Sequence, residues 1–245
     1  MISVRNLHKT LGTQHVLRGV QLEIRRGETC VVLGRSGCGK SVLLKHFIGL
    51  LKPSSGQVLV DNEDIGALHE RQLGAIRKKV GILFQSGALF DSMTVEENIA
   101  FPLREAGVRD RREISDRVAE ALEMVDLAGE QAKMPENLSG GMRKRVGLAR
   151  TIVSRPACIL YDEPTTGLDP IATDSINHLI RRLQKRLQVT SVVVTHDMKT
   201  AFHTADRIIF LHEGRVYFEG TPDALHASAD PVLQDFVEGR SGESD

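Results

Sequence analysis

The chain has 245 residues, 41% of them hydrophobic, which is enough apolar content for one large globular domain or two small ones. It carries 32 basic and 32 acidic side chains, so the net charge of zero gives no reason to expect nucleic acid as a partner. No apolar run approaches the roughly 18 residues needed to span a bilayer, and residues 1–5 lack a signal-peptide layout, so any membrane role is expected to act through a partner.

The first third of the chain predicts alternating strands and helices. Residues 2–7 and 20–24 alternate apolar and polar side chains, which predicts an antiparallel pair at a sheet edge. A buried strand is predicted at 29–33, a helix at 41–51 and a short strand at 57–60. A polar helix at 68–79 then leads to a buried strand at 80–84, which places Gln85 at a strand end, where ligands bind in open α/β sheets.

Residues 86–154 have a different character, because nearly all of their pattern is helical. The run from Thr94 to Glu97 predicts a capping box, and Ile114, Val118 and Leu122 are spaced for one buried helix face together with Val125. We interpret this stretch as a helical subdomain inserted into an α/β core.

The α/β alternation returns after residue 154, with a strand at 157–161, a helix at 170–187, a strand at 190–195 and a final strand pair at 208–211 and 215–218. The basic residues of the 170–187 helix lie opposite its apolar positions, which favours a solvated face over a nucleic-acid site. Thr221-Pro222 and Asp230-Pro231 each place a capping residue before a proline, so two short helices are predicted there. Residues 239–245 are expected to fray.

A glycine-rich segment at residues 34–41 carries the strongest chemical signal. It reads Gly34-Arg35-Ser36-Gly37-Cys38-Gly39-Lys40-Ser41, which fits the phosphate-binding pattern G-x-x-x-x-G-K-[ST] between a predicted strand and a predicted helix. Glycines let backbone N–H groups approach a phosphate chain, and the helix dipole adds positive potential. Lys40 is predicted to reach the β- and γ-phosphates, and the Ser41 hydroxyl to be one ligand of Mg²⁺.

Two carboxylates, those of Asp162 and Glu163, follow the strand predicted at 157–161. In a parallel sheet this strand can lie beside the phosphate loop, so that Asp162 holds Mg²⁺ through water and Glu163 acts as general base or orients water. His196, at the end of another strand, is in a position to contact the γ-phosphate. Taken alone, each of these residues is more typical of an ordinary strand end than of catalysis. Their combination with the phosphate loop is what favours a catalytic site.

A second anion site is predicted where a helix follows Ser139-Gly140-Gly141. Ser139 is a typical N-cap, and two glycines behind it suit the close approach of a ligand to the backbone. On this helix, Val146, Ala149, Ile152 and Val153 are expected to share a buried face, and Arg143, Lys144 and Arg145 are expected to face water.

Together these segments resemble the nucleotide-binding subunit of an ATP-binding cassette (ABC) transporter over nearly the whole chain. The Walker A motif matches residues 34–41, and the Q-loop glutamine matches Gln85. The LSGGx signature matches residues 138–142, and Walker B matches the strand that ends at Asp162. The D-loop matches residues 167–169, and the switch histidine matches His196. The resemblance implies ATP and Mg²⁺ as ligands, with Lys40, Gln85, Glu163 and His196 as catalytic residues and Ser41, Gln85 and Asp162 as metal ligands. It also implies a head-to-tail pair of cassettes in which Ser139, Gly140 and Gly141 of one copy close over the ATP of the other.

The implied fold is a RecA-like P-loop core with an antiparallel edge subdomain and an inserted helical subdomain. A single ATPase domain is expected over residues 1–245, with the core at 1–85 and 155–220, the helical subdomain at 86–154 and terminal helices at 221–245. One departure concerns the base, because the family usually stacks adenine on an aromatic residue where this chain has Leu11. Apolar contact by Leu11, or a contribution from His8 or His15, is the open alternative.

Finer motifs resemble the ATPases of Mla/Mce-type lipid transporters. They include the run from Phe84 to Val95, its continuation to Glu105, and residues 141–146 and 235–240. This resemblance implies a permease that contacts the chain near residues 85–102, an associated MCE-domain lipid-binding protein, and a position on the cytoplasmic face of the inner or plasma membrane. The alternatives are a cassette for a polar solute such as an amino acid, a soluble ABC ATPase outside transport, and a catalytically silent binding module.

Cysteine usage is compatible with the cytoplasm. Cys30, Cys38 and Cys158 are odd in number and lack metal-ligand spacing, which predicts reduced thiols in a reducing compartment. Cys38 lies inside the phosphate loop, where it is either a redox-sensitive thiol or an ordinary small residue of the pattern.

Overall fold

The computed structural model describes residues 1–240, which divide into two compact units. The first unit comprises Met1–Ile76 and the chain from Thr190 onward, and the second comprises Arg77–Val189. The strands are β1 (Ile2–Leu11), β2 (Gln14–Ile24), β3 (Thr29–Leu33), β4 (Ser55–Val60), β5 (Glu63–Asp64), β6 (Val80–Leu83), β7 (Cys158–Asp162), β8 (Thr190–Thr195), β9 (Arg207–His212) and β10 (Arg215–Gly220). The helices are α1 (Lys40–Phe47), α2 (Glu70–Lys79), α3 (Val95–Glu105), α4 (Arg111–Met124), α5 (Gly140–Ile152), α6 (Pro170–Leu187), α7 (Met198–Thr204), α8 (Pro222–His226) and α9 (Pro231–Val237).

An antiparallel sheet in the order β2-β1-β4-β5 forms one layer of the first unit. The predicted pairing of the first two strands is confirmed, with Ile2 opposite Ile24 and Val4 opposite Leu22, and these apolar residues are buried. Both strands are longer than predicted and continue to a tight turn at Gly12.

A second set of strands, β10-β9-β3-β8, forms the other layer of this unit. All five residues of β3 and all six of β8 are buried, which is typical of parallel strands covered on both faces. β3 runs parallel to β8 and to β9, so its carboxyl end opens between two neighbours.

The second unit combines the parallel pair β6 and β7 with four helices. The predicted capping box is present, since the Thr94 hydroxyl accepts from the Glu97 amide and the Glu97 carboxylate accepts from the Thr94 amide. The predicted α4 face is buried, from Ile114 to Val125. On α6 the apolar residues Ile176, Leu179, Ile180 and Leu183 are buried, whereas Ile171 in its first turn is exposed. Arg182 pairs with Asp126 at 2.6 Å, and the basic positions form the solvated face that was predicted.

Several element boundaries differ from the predictions. α1 ends at Phe47 rather than 51, because Gly49 adopts a left-handed conformation (φ +67°) that the helix cannot continue through. The short strand β5 and helix α7 were not predicted. Helices α8 and α9 are confirmed, and part of the predicted frayed tail, residues 241–245, lies outside the described residues.

Within residues 1–240, no helix is both long and apolar enough to cross a bilayer. The assignment of the whole chain to a single ATPase domain, with subdomain limits at 85, 154 and 220, stays a prediction.

Candidate functional site

The predicted phosphate loop connects β3 to α1 in the first unit. Lys40 begins α1 and is buried, with its ammonium donating to the carbonyl oxygens of Gly34 at 2.8 Å and Arg35 at 3.1 Å. The positive charge is therefore held inside the curve of the loop, next to the N-terminus of α1. Both the charge and the helix N-terminus favour an anion at this place.

The glycines of this loop have distinct steric roles. A Cβ added at Gly34 would lie 2.4 Å from the Leu211 carbonyl oxygen and 2.6 Å from the Cys38 sulfur, so no other residue fits there. Gly37, in contrast, has φ +80° and nothing within 4 Å of its missing Cβ. The loop is thus tightly packed at Gly34 and open at Gly37, as a binding loop for a phosphate chain requires.

His196 leaves the sheet next to the phosphate loop. Leu33, the residue before Gly34, pairs with Thr195, the residue before His196, so the two segments emerge side by side from adjacent parallel strands. The two neighbours of β3 are β8 and β9, so the idea that the Asp162 strand lies directly beside the phosphate loop is wrong. A central strand has only two hydrogen-bonded edges, and both are occupied in the first unit.

Leu11 is the last residue of β1 and is 43% exposed at the hairpin tip. The same hairpin reaches the phosphate loop, because a Cβ at Gly39 would lie 2.7 Å from Leu17 and 3.2 Å from Val16. Close to Leu11, the His15 imidazole is hydrogen-bonded to the Thr10 hydroxyl at 3.0 Å. The roles of Leu11, His8 and His15 toward a base stay predictions.

In the second unit, Gln85 and the two acids emerge from neighbouring parallel strands, since Leu83 of β6 pairs with Tyr161 of β7. Gln85 is exposed, whereas Asp162 and Glu163 are almost fully buried. The Thr166 hydroxyl donates to the Glu163 carboxylate at 3.2 Å. The structure therefore brings Gln85 and Glu163 to the same sheet edge.

Ser139 caps α5 as predicted, and its hydroxyl accepts from the Met142 amide at 3.3 Å. Ser139 and Gly140 are exposed. A Cβ at Gly140 would meet only the Leu168 side chain at 3.5 Å, and one at Gly141 only Ala172 at 3.8 Å. The backbone at this helix start is thus accessible to a ligand.

The expectation that Lys144 faces water is wrong, because its side chain is 4% exposed. Arg145 is also largely covered: its guanidinium donates to Asp126 and to the Ser175 hydroxyl, each at 2.7 Å. Arg143 alone of the three is exposed as predicted. A row of three cations predicts a solvated face, and nothing in the local sequence marks the middle one as buried.

Burial lowers the pKa of the Lys144 ammonium, while the nearby Glu163 and Asp162 carboxylates act to raise it. Among the thiols, Cys30 and Cys158 are buried within strands, and burial raises the pKa of Cys30 to about 12. Cys38 is half-buried in the phosphate loop, and none of the three cysteines forms a disulfide.

Comparison with known proteins identifies the family. The model of the ABC transporter family matches residues 17–166 of the chain. A probable ribonucleotide transport ATP-binding protein, mkl, from Mycobacterium leprae is 43% identical over 98% of this chain and 69% of its own length. The intermembrane phospholipid transport system ATP-binding protein MlaF of Haemophilus influenzae is 40% identical over 98% of this chain and 91% of its own length. The methionine import ATP-binding protein MetN of Caulobacter vibrioides is 41% identical over 99% and 74%, respectively.

The fold is also that of solved ATP-binding cassettes. A dimeric cassette in a post-hydrolysis state, bound to ADP and Pi, is 35% identical and superposes with a TM-score of 0.83 over 91% of this chain and 99% of that one. The expected P-loop core with its antiparallel and helical parts is therefore confirmed.

Proposed function

The chain belongs to the ABC transporter family, and from this premise we propose that two copies of it form a head-to-tail pair that drives a separate membrane permease. As an ATP-binding cassette the protein is an ATPase. In the proposed pair, the Ser139 end of α5 in each copy faces the nucleotide held by the phosphate loop of the other. The accessible backbone at Gly140 and Gly141 supports this arrangement.

Each side chain of the proposed site has a separate task. Lys40 and the N–H groups of residues 34–41 hold the phosphate chain and offset its negative charge. Glu163 orients the attacking water and accepts its proton, while His196 contacts the γ-phosphate. Gln85 joins the permease surface to the catalytic acids, because it follows the strand beside them.

The oxygen donors of this set suit Mg²⁺. A hydroxyl from Ser41, an amide oxygen from Gln85 and a carboxylate from Asp162 are the hard ligands that this ion takes alongside phosphate oxygens and water. When bound, Mg²⁺ would neutralise charge on the phosphates.

The permease is proposed to dock near residues 85–102. A groove of about 350 Å³ is lined there by apolar and basic side chains of the second unit, among them Lys78, Phe84, Phe90, Pro102 and Arg150. Phe90 is 41% exposed and lies 4.9 Å from the Phe101 ring. Through this permease the cassette would lie on the cytoplasmic face of the inner or plasma membrane.

The proposed cargo is phospholipid or a related lipid that moves between membranes, with an MCE-domain protein as a further partner. The observation that carries this proposal is the match to the intermembrane phospholipid cassette, which extends over 91% of that relative. The comparable identity to the methionine cassette keeps an amino-acid importer as the second candidate.

The two cargoes can be separated by reconstitution. The cassette would be purified with the permease encoded beside it and placed in liposomes, and ATP-dependent transfer of a fluorescent phospholipid would be measured against uptake of radiolabelled methionine. Lipid transfer that requires ATP supports the proposal. Methionine uptake without lipid transfer would contradict it and establish the importer.

The catalytic role of Glu163 is tested by Glu163→Gln, with the exposed Glu123→Gln as the matched control. The Glu163 variant should bind ATP within about twofold of wild type and lose about 10²–10⁴-fold in turnover, the range typical of a general base. Undiminished hydrolysis would refute the role. The control should hydrolyse ATP at the wild-type rate.

The shared site is tested at Ser139. Ser139→Arg should abolish hydrolysis yet leave ATP binding to the single subunit unchanged, because the bulky cation would occupy the space of the other copy's nucleotide. Ser139→Ala, which removes the hydroxyl and its helix cap at about 1 kcal/mol without adding bulk, shows how much turnover is lost for these reasons alone. Wild-type turnover in Ser139→Arg would mean that the head-to-tail pairing is wrong.

A further inference from the structure

Lys144 is a buried cation on α5, one and a half turns beyond Ser139. An ammonium group loses hydration when it is buried, so it persists in such a position only where hydrogen bonds and opposite charges replace the water. Its position on the same rigid helix as Ser139 makes its contacts relevant to catalysis.

The Lys144 ammonium contacts the backbone just after each of the two neighbouring strands β6 and β7. It donates to the Gln85 carbonyl oxygen and, at 3.3 Å, to the Glu163 carbonyl oxygen. These residues follow the paired strands β6 and β7, in which Leu83 lies opposite Tyr161. One side chain of α5 thus joins the Q-loop backbone to the turn that carries the proposed general base.

Glu163 has an unusual backbone conformation that needs such support. Its φ is +49°, in the left-handed region that costs free energy for any residue with a Cβ. The Glu163 carbonyl oxygen accepts from Lys144 and from the Thr166 amide at 3.3 Å, and its carboxylate accepts from the Thr166 hydroxyl. These bonds set the direction of the carbonyl and, with it, the direction of the side chain.

A second group of contacts holds the Q-loop against the same helix. The Arg150 guanidinium donates to the carbonyl oxygens of Gly87 at 2.9 Å and Ala88 at 2.8 Å. A Cβ at Gly147 would lie 2.9 Å from the Gly87 carbonyl oxygen, so backbone meets backbone there. The loop after Gln85 is therefore packed on α5 along two helical turns.

From these contacts we infer that Lys144 is a positioning residue that couples the Ser139 helix to Glu163 and Gln85 within one subunit. The inference rests on the proposed function, since Glu163 must orient water and Ser139 must close over a nucleotide. A displacement of α5 on closure moves the ammonium, and the ammonium carries the Glu163 and Gln85 carbonyls with it. The carboxylate then takes its working direction only when α5 is in place.

The test replaces Lys144 with Met, which has a similar length but no charge and no donor. Loss of positioning should lower kcat for ATP by about 10–100-fold while the Kd of ATP stays within threefold of wild type, because misplacement of a catalytic group costs turnover rather than binding. Hydrogen exchange at residues 162–166 should become faster. Lys144→Arg, which keeps the charge and the N–H donors, should recover kcat to within about threefold.

The matched control is Thr151→Val on the same helix. The Thr151 hydroxyl lies 2.8 Å from the Gly147 carbonyl oxygen of its own helix and 3.1 Å from the Ile82 carbonyl oxygen of β6, and its single proton is shared between them. The variant therefore removes a buried bond of α5 that does not involve the catalytic turn. It should keep kcat and the exchange rate at residues 162–166. Equal losses of kcat in the Thr151 and Lys144 variants would overturn the inference, since Lys144 would then support only the fold.

Glu163→Gln is measured in parallel to separate the two hypotheses. If it is inactive while Lys144→Met turns over as fast as the Thr151 control, the inference is wrong and the proposed function stands. If Glu163→Gln keeps wild-type turnover, the role of Glu163 itself fails. Should Lys144→Met not fold, Lys144→Gln is judged by the same criteria.

Discussion

Asn98 offers the sharpest test of how the loop before α3 is held. It is fully buried, its side-chain oxygen accepts from the Phe90 amide at 2.8 Å, and the two N–H groups of its side-chain nitrogen are shared among three carbonyl oxygens. The carbonyl oxygens of Phe90, Met93 and Thr94 lie 3.1, 3.0 and 3.0 Å from the side-chain nitrogen of Asn98. A single side chain therefore closes the whole loop that presents Phe90.

The cost of Asn98→Ala follows from which groups lose their partner. The Thr94 carbonyl keeps its helical bond from the Asn98 amide, and the Phe90 carbonyl keeps the Met93 amide. The Phe90 amide and the Met93 carbonyl lose the bond that Asn98 makes to each. At about 1–3 kcal/mol for each unsatisfied group, partly relieved by water, we expect a loss of roughly 2–4 kcal/mol in the free energy of unfolding.

The measurement is urea unfolding followed by far-UV circular dichroism, which suits a chain without tryptophan. The control is Asn137→Ala at an exposed site, expected to change stability by less than about 0.5 kcal/mol. In the reconstituted complex, Asn98→Ala should also weaken permease binding, because Phe90 loses its support. A stability for Asn98→Ala that equals that of the control would refute this account of the loop.

Three further predictions concern the loop, a buried histidine and the metal. Gly34→Ala should lower stability by about 1–3 kcal/mol through overpacking and ATP affinity by tenfold or more, whereas the uncrowded Gly129→Ala should retain affinity, as nucleotide titration would reveal. Burial lowers the pKa of His46 from its ordinary value of 6.5. At low pH the unfolded protein therefore binds a proton at His46 more readily than the folded protein, and the free energy of unfolding should fall as the pH drops below about 6.5. His46→Gln should flatten this pH dependence in urea unfolding and the exposed His69→Gln should not; an unchanged slope would contradict the assignment. Chelation of Mg²⁺ should stop turnover, and Asp162→Asn should raise the Mg²⁺ concentration for half-maximal activity at least tenfold; an unchanged requirement would exclude Asp162 as a ligand.

Much of the fold could be predicted because local signals and tertiary structure agree. The bounds of β3, α6 and β8 match the sequence prediction, since each combines an unambiguous apolar pattern with a clear start or stop. Helix α7 was missed because its seven residues are too few for a periodic pattern, although Asp197 caps it. The Asp197 cap was the available signal.

The site could be predicted only as a set of separate motifs. The pattern at 34–41 and the acids at the end of β7 indicate phosphate binding and catalysis. Strand pairing, however, depends on the whole sheet, so the local sequence could not predict that Leu33 pairs with Thr195. Lys144 shows the same limit more clearly. Its burial depends on two carbonyl oxygens distant in sequence, which no pattern on α5 encodes.

The three thiols differ in exposure, so Cys38 in the phosphate loop can be labelled selectively. Cys30 and Cys158 are buried inside strands, and the high pKa of Cys30 suppresses its thiolate, so a maleimide dye added briefly at neutral pH should modify Cys38 first. A fluorophore introduced there without any mutation would sit where the triphosphate is proposed to bind. Protection of that sulfur by nucleotide would then measure occupancy of the wild-type protein directly, even in subunits that never turn over.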